Sequence, residues 1–123
     1  MKLELRRGLI YVPITLLYAH QEVHLHALVD TGSAGTAADI NRFHIDYQRE
    51  ARICDLVGIG GRQQVIVQEV ETVRLGDASC ANFPIEFCDM DGAYGIEAIV
   101  GGDLLDRLHA VIDYPNRWLQ VSE

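Results

Sequence analysis

Positive charge is scarce in this sequence. Its 123 residues include 10 Lys and Arg against 18 Asp and Glu, which gives a formal net charge of −8 with neutral His. A protein that binds nucleic acid needs a basic surface to displace counterions from the phosphates, so this balance argues against nucleic acid as a partner. An acidic surface instead favours cationic partners.

Long apolar runs are also missing. No stretch is long enough to span a membrane, and the charged start Met1–Arg7 is not followed by the apolar segment of a signal peptide. We therefore expect a cytoplasmic protein without membrane contact. The chain has no internal repeat and 49% of its residues are hydrophobic, so its length predicts one domain over residues 1–123 with a substantial core.

Cysteine is rare and its spacing carries no metal signature. Cys54, Cys80 and Cys88 are odd in number and lack zinc-ligand spacing. Without a secretion signal, buried free thiols are favoured over a disulfide. His24 and His26 share one strand face, but no set of carboxylates or thiolates accompanies them, so we predict neither a metal nor another cofactor.

Alternating apolar residues predict strands in the first two thirds of the chain. Leu9–Leu17 and Glu22–Val29 predict a hairpin whose second strand ends at Asp30. Arg52–Val57 and the β-branched segment Val65–Leu75 predict a second hairpin around a glycine-rich tip.

The remaining segments predict shorter elements. Cys80–Cys88 is predicted to be an edge or bulged strand, because Pro84 cannot donate to a sheet ladder. Asp103 is the predicted N-cap of a short helix that ends near Leu108. The segment Asn41–Glu50 has weak periodicity and is not assigned. Two more short strands are predicted, at Ala110–Asp113 and Trp118–Val121, and Ile96–Val100 is a short apolar segment. The fold class is therefore all-β with one short helix.

One carboxylate stands out by its context. Leu28-Val29-Asp30-Thr31-Gly32-Ser33 places Asp30 directly after an apolar strand and before a turn that Gly32 can make sharply. Asp and Thr are also common in ordinary turns, so the motif alone is compatible with a structural role. No second Asp-Thr-Gly occurs in the chain. If Asp30 performs paired-carboxylate chemistry, its partner must come from a second copy across a two-fold axis.

Three features, in this order along the chain, resemble the retropepsin-like family, the single-lobe aspartic proteases of the retroviral type. They are the Asp30 segment after its hairpin, the glycine-rich tip Gly58-Ile59-Gly60-Gly61, and the segment Ile99-Val100-Gly101-Gly102-Asp103-Leu104-Leu105. The last segment matches the family's apolar-apolar-Gly element before its only helix. The resemblance covers about residues 9–114 and implies an all-β, closed-barrel lobe with one short C-terminal helix.

The resemblance implies an aspartic endopeptidase that acts as a homodimer on peptide or protein substrates. Asp30 and its copy in the partner would be the catalytic pair, with one carboxylate activating water and the other, protonated, polarising the scissile carbonyl. Thr31 would hydrogen-bond across the dimer axis, and Gly32 and Ser33 would support the active-site turn. The flap would be formed by Gly58, Ile59, Gly60 and Gly61.

Ser33 carries an additional expectation. Its hydroxyl can donate a hydrogen bond to Asp30, which would favour the charged carboxylate and an acidic working range. We would then expect the pH–rate profile of a Ser33→Ala variant to shift to the alkaline side.

Two positions depart from the retroviral pattern. Retroviral members usually carry Asp two places after the motif glycine and Arg after the later glycine, and these side chains pair; here the positions hold Ala34 and Gly102. The chain also continues from Pro115 to Glu123, past the usual retroviral end. It is therefore more similar to cellular and bacterial members, and the C-terminal hairpin of Ala110–Asp113 and Trp118–Val121 becomes a candidate dimer interface.

The residues leave two other functions open. The same fold can serve as a catalytically silent module that binds peptides or assembles proteins. In the second alternative, Asp-Thr-Gly is coincidental in a small β-domain that binds a metal through its histidines. Cleavage of peptides that depends on Asp30 would distinguish the protease from both.

Overall fold

The computed structural model describes residues 1–58 and 61–123 and consists mostly of β-strands, which confirms the all-β prediction. The single α-helix of these residues has six residues, and none of their helices has the length and apolar character of a membrane span. The elements are β1 (Glu4–Arg6), β2 (Leu9–Tyr18), β3 (Gln21–Val29), β4 (Ala37–Asp39), β5 (Arg52–Gly58), β6 (Gly61–Leu75), β7 (Ala78–Cys88), β8 (Ala98–Val100), α1 (Gly102–Arg107), β9 (Val111–Asp113) and β10 (Trp118–Gln120), with 3₁₀ turns at Ile40–Arg42 and Ala93–Gly95.

The first predicted hairpin is confirmed. Strands β2 and β3 pair antiparallel from Ile10 and Val29 to Tyr18 and Gln21, and Ala19 and His20 form the connection with positive φ angles of 48° and 65°. Two successive residues with positive φ angles are typical of a type I′ turn, whose twist matches that of the flanking strands. Leu25, Ala27 and Val29 of β3 are buried in alternation with partly exposed residues, so β3 delivers Asp30 at its end in the predicted register.

Strand pairing closes the larger sheet into a ring. The order of the ring is β2, β3, β8, β4, β7, β6 and again β2. Closure depends on β6, which is 15 residues long and pairs with β5, β7 and β2. The interior is filled by side chains from these strands, from α1 and from its C-cap residue Leu108, among them Val12, Ile14, Leu16, Val73, Phe87 and Leu104.

One strand of the ring is inserted between two strands that are consecutive in sequence. Strand β8 lies between β3 and β4, parallel to β3 and antiparallel to β4. The carboxyl ends of parallel neighbouring strands lie at the same edge of a sheet. The insertion therefore brings the turn after β3, which holds Asp30, beside the Gly101 segment that follows β8.

Strand β7 is internal in the sheet order but is an edge at Pro84. Strand β4 borders β7 only at residues 86–88, whereas Pro84 pairs with Glu69 of β6 and has no strand on its other side among the described residues. The missing N–H of Pro84 is therefore tolerated, as the edge prediction requires. The register between β6 and β7 is the same on both sides of Pro84, so the strand has no bulge there.

The unassigned segment Asn41–Glu50 is an irregular loop that is held by buried polar groups. The Tyr18 hydroxyl accepts a hydrogen bond from the backbone N–H of Asp46 at 2.8 Å and donates one to the side chain of Gln68. The Gln68 amide donates to the Asp46 carbonyl at 3.0 Å. These bonds satisfy polar groups in the core, and side-chain contacts of this kind leave no periodic signal in the sequence.

All three cysteines are free thiols, as predicted. Cys80 and Cys88 are buried, but Cys54 is only half-buried, which corrects the expectation for that residue. Burial and the neighbouring carboxylate of Glu86 raise the pKa of Cys88 to about 11, so this thiol is protonated and unreactive at neutral pH.

Strands β9 and β10 form a separate two-stranded sheet, as the C-terminal segments predicted. The N-terminal residues extend it: the amino group of Met1 donates to the Leu119 carbonyl at 2.7 Å, and Lys2 bridges Trp118. The N-terminus is thus paired within its own chain. The large apolar side chains exposed on this hairpin are Val111, Tyr114 and Trp118.

Candidate active site

Asp30 lies in a turn that its own side chain stabilises. The backbone N–H of Gly32 donates to Oδ1 of Asp30 at 2.9 Å, and the N–H of Ser33 donates to the Asp30 carbonyl at 3.1 Å. Such side-chain-to-backbone bonds are the reason that Asp is favoured in turns. Asp30 is half-buried, while Thr31 and Gly32 are exposed. The carboxylate is therefore fixed at the surface, where it can meet a ligand or a second copy.

The Asp30 turn contacts the Gly101 segment, residues 99–105, through its main chain. The N–H of Asp30 donates to the Val100 carbonyl at 2.9 Å, and the N–H of Gly102 donates to the Ser33 carbonyl at 2.7 Å. A Cβ on Gly101 would lie only 2.0 Å from the Gly35 carbonyl oxygen, so the two backbones touch here. Two of the three motifs that carry the family resemblance thus form one rigid unit.

The expectation for the Ser33 hydroxyl is wrong. The hydroxyl donates to the Gly35 carbonyl at 2.9 Å and not to the Asp30 carboxylate. The turn places a main-chain acceptor two residues ahead within reach, and a hydroxyl readily bonds to nearby backbone in this way. Ser33 therefore stabilises the shape of the turn, and the expected alkaline shift of a Ser33→Ala variant loses its physical basis.

The N-cap prediction for Asp103 is also wrong, because Gly101 is the N-cap of α1. Asp103 lies in the first turn of α1, where its Oδ1 accepts hydrogen bonds from Thr36 Oγ1 and from the N–H of Leu104, each at 2.7 Å. The hydroxyl of Thr36, which is buried, also accepts the N–H of Gly101 at 3.1 Å. Sequence reasoning missed Thr36, since nothing local distinguishes it from an ordinary strand threonine.

The second hairpin is confirmed, and part of its tip is described. Strands β5 and β6 pair from Arg52 and Val67 to Gly58 and Gly61, and Gly61 has a φ of 114°, which favours glycine. The predicted flap residues Ile59 and Gly60 lie outside the described residues. The base of the hairpin packs on the strands beside Asp30, in a cluster that includes Val65, Val67, Cys54, Ala37 and Ile99.

Glu86 of β7 is a site residue that sequence reasoning missed. A Cβ on Gly35 would lie 2.3 Å from Glu86 Oε1, so the carboxylate covers the backbone five residues after Asp30. Glu86 is half-buried, and it has no ion pair and no side-chain hydrogen bond to any described residue. Burial raises the pKa of Glu86 above its ordinary value, and the negative charge of Asp103 raises it further.

This environment predicts the effect of Glu86→Gln on stability. A carboxylate with a raised pKa in the folded state stabilises the fold while it is protonated, and this contribution is lost as the pH rises through the folded-state pKa. Gln keeps the neutral form at every pH. We expect the variant and the parent to have similar melting temperatures near pH 4, and the variant to melt higher at pH 7, by on the order of 2 °C.

Melting curves between about pH 4 and 8 provide the measurement. Asp77→Asn is the matched control, because it makes the same change of charge in the exposed turn before β7. The control should show no pH-dependent gain. A variant of Glu86 that melts lower than the parent at pH 7 would contradict the prediction.

The histidines considered for a metal make other contacts. His26 stacks on Tyr11 with ring centroids 5.0 Å apart and contacts Arg6 through Nε2 at 2.6 Å, while Nδ1 of His24 contacts the Thr15 hydroxyl at 3.0 Å. Over residues 1–58 and 61–123, no group of three or more His, Cys, Asp or Glu side chains is arranged to hold a metal ion.

No known family model matches this sequence, and no curated protein aligns with it significantly.

Proposed function

We propose that this chain is a retropepsin-like aspartic endopeptidase whose active site forms from two copies. The observation that carries the proposal is the rigid unit of the Asp30 turn and the Gly101 segment. Val100 and Gly102 hold this turn through hydrogen bonds of 2.9 and 2.7 Å to Asp30 and Ser33. Two motifs about 70 residues apart in sequence, each of which resembles the family, meet at one place, which a coincidental Asp-Thr-Gly would not require.

The chemistry needs two carboxylates that share one proton. Two such groups about 3 Å apart do not both ionise, so one stays protonated and the other charged. The ionised carboxylate takes a proton from water as the water attacks the scissile carbonyl, and the protonated one donates a hydrogen bond to that carbonyl. The pKa values that a pH profile reports belong to the pair and not to either Asp30.

A second copy is needed because the chain supplies one such carboxylate. The hairpin of β9 and β10 supports this requirement: Val111, Tyr114 and Trp118 are 55%, 50% and 48% exposed on the same hairpin, and neighbouring exposed apolar side chains are typical of an interaction surface. Burying such side chains against a copy of the same surface is a common way to form a symmetric dimer. This surface is our proposed interface.

The hairpin of β5 and β6 is the proposed flap. Its base packs through Val65 and Val67 on Ala37 and Ile99, next to the Asp30 turn. A hairpin that projects from this base can cover an extended peptide and contact the main chain of that peptide, as a strand added to a sheet does. Closure excludes water and orients the scissile amide.

Activity should depend on protein concentration, and this dependence tests the proposal. If two chains form one site, the rate per milligram falls on dilution, in proportion to the dimer fraction measured by sedimentation. A general aspartic-protease inhibitor should abolish the cleavage. A rate per milligram that stays constant while the dimer dissociates would refute the shared site. Peptide binding without cleavage between about pH 3 and 8 would favour the silent binding module.

A further inference from the structure

A row of directly paired residues crosses six strands from the Asp30 side of the sheet to the flap hairpin. Directly paired residues in neighbouring strands point to the same face. In the order of the strands β3, β8, β4, β7, β6 and β5, the members of this row are Leu28, Ile99, Ala37, Glu86, Val67 and Arg52.

The row faces away from the core and toward the proposed cleft. The residues that follow its members by one position, such as Val29, Val100 and Phe87, are buried in the interior cluster, so the row lies on the opposite face. Asp30 comes two residues after Leu28 and continues the same alternation, with its N–H on the Val100 carbonyl. The row therefore forms a floor that begins at the proposed catalytic carboxylate.

Glu86 is the charged residue in the middle of this floor. Its neighbours in the row are Ala37 and Val67, both buried and apolar. The cation of the row is Arg52, which is exposed and lies two strands away, at roughly 10 Å by strand spacing. No described side chain neutralises Glu86, and a half-buried carboxylate without a partner is costly.

The floor continues past Glu86 into a groove of about 630 Å³. Val67 and Arg52 of the row and Pro84 of β7 line this groove, together with Glu69 and with Glu71 in its ion pair with Arg49. Glu86 therefore lies in the row between Asp30 and this groove. The net charge of this chain is −8, and a negative net charge favours a cationic peptide as the ligand of this surface.

We propose that Glu86 is a specificity-determining residue that selects peptides with a Lys or Arg side chain one or two residues from the scissile bond. This inference rests on the proposed function. Alternate side chains of an extended peptide are about 7 Å apart, and Glu86 lies roughly 16 Å from Asp30 by three strand spacings and two residues of rise. A long basic side chain on the same face covers the remaining distance. The ammonium or guanidinium group supplies the partner that Glu86 lacks, and a neutral side chain leaves the carboxylate desolvated and unpaired.

The experiment compares peptides that differ at one position near the cleaved bond. A peptide library identifies the cleaved sequence, and matched peptides then carry Arg, its neutral isostere citrulline, or Glu at each position within two residues of the bond. For the parent protein, we expect kcat/KM to favour Arg over citrulline by about tenfold at one of these positions. Glu86→Gln should reduce this ratio to within about twofold, and Glu86→Lys should favour Glu over Arg.

The ratio of two substrates on one protein separates specificity from general damage, because a loss of folded protein lowers both rates equally. Asp77→Asn, with the same change of charge in the exposed turn before β7, should keep the preference for Arg. An unchanged Arg-to-citrulline ratio in Glu86→Gln, or no preference in the parent, would overturn the inference while the endopeptidase proposal stands.

A binding measurement makes the outcome independent of catalysis. The same peptides are titrated into Asp30→Asn and into Asp30→Asn combined with Glu86→Gln, with fluorescence anisotropy as the readout. A preference for Arg that needs Glu86 supports the inference without any contribution from the rate of cleavage. Equal binding of Arg and citrulline peptides, or no binding of either, overturns it.

Discussion

Asp30→Asn is expected to lower kcat/KM for peptide cleavage by about 10³-fold or more, while the protein stays folded and dimeric. The amide cannot accept a proton from water, and in a symmetric dimer one substitution removes both carboxylates. The fold should tolerate the change, because the amide oxygen can still accept the N–H of Gly32 as Oδ1 does now. Rates on a cleaved peptide, with circular dichroism and sedimentation of the same samples, provide the measurement.

Asp106→Asn is the matched control for this result. It makes the same change of carboxylate to amide at an exposed position on α1, directly after the Gly101 segment. Activity should stay within about twofold of the parent. If Asp30→Asn retained activity comparable to this control, Asp30 would not be the catalytic carboxylate.

Mixing the two proteins tests whether both copies of Asp30 are needed. Heterodimers would hold one carboxylate and one amide and should be inactive. When Asp30→Asn makes up about nine tenths of randomly exchanged chains, the activity of the parent should fall to about one tenth, because few dimers then contain two parent chains. Unchanged activity after exchange would show that one copy works alone.

Gly101→Ala is expected to destabilise the fold by about 3 kcal/mol or more. Its Cβ would lie 2.0 Å from the carbonyl oxygen of Gly35 and 2.8 Å from that of Ser33. Neither oxygen belongs to a flexible side chain, and the Ser33 carbonyl is held by the N–H of Gly102 at 2.7 Å. The Asp30 turn must therefore move away from β8, so protein that still folds should also lose activity.

Gly102→Ala provides the comparison at the adjacent residue. The nearest atom to its Cβ would be the Ser33 carbonyl oxygen at 3.5 Å, which is an ordinary contact, and Gly102 is the first residue of α1, where Ala suits a helix better than Gly. We expect a change of at most about 1 kcal/mol, and stabilisation is the favoured direction. Urea unfolding of both variants measures the difference. Similar losses of stability in the two would refute the close contact at Gly101.

Local patterns were sufficient to predict several elements of this protein. The alternation in Leu9–Leu17 and Glu22–Val29 predicted a hairpin that ends at Asp30, and the glycines at 58 and 61 marked the end of the second hairpin. These elements are formed by residues close in sequence, so composition and periodicity carry the information. The same reasoning failed at two residues. The Ser33 hydroxyl donates to the main-chain carbonyl of Gly35, and the Asp103 carboxylate accepts a hydrogen bond from the Thr36 hydroxyl.

The sequence by itself determined that the chain is all-β, where its hairpins lie, and that it holds one Asp-Thr-Gly carboxylate at the end of a strand. Only the tertiary structure decided that β8 lies between β3 and β4 and that Glu86 lies in one row with Leu28. Both depend on pairings between strands far apart in the chain. The register of these pairings is fixed by the burial of side chains such as Phe87 and Val100 in the core. Because that burial depends on the whole core, no short segment of the sequence encodes the register.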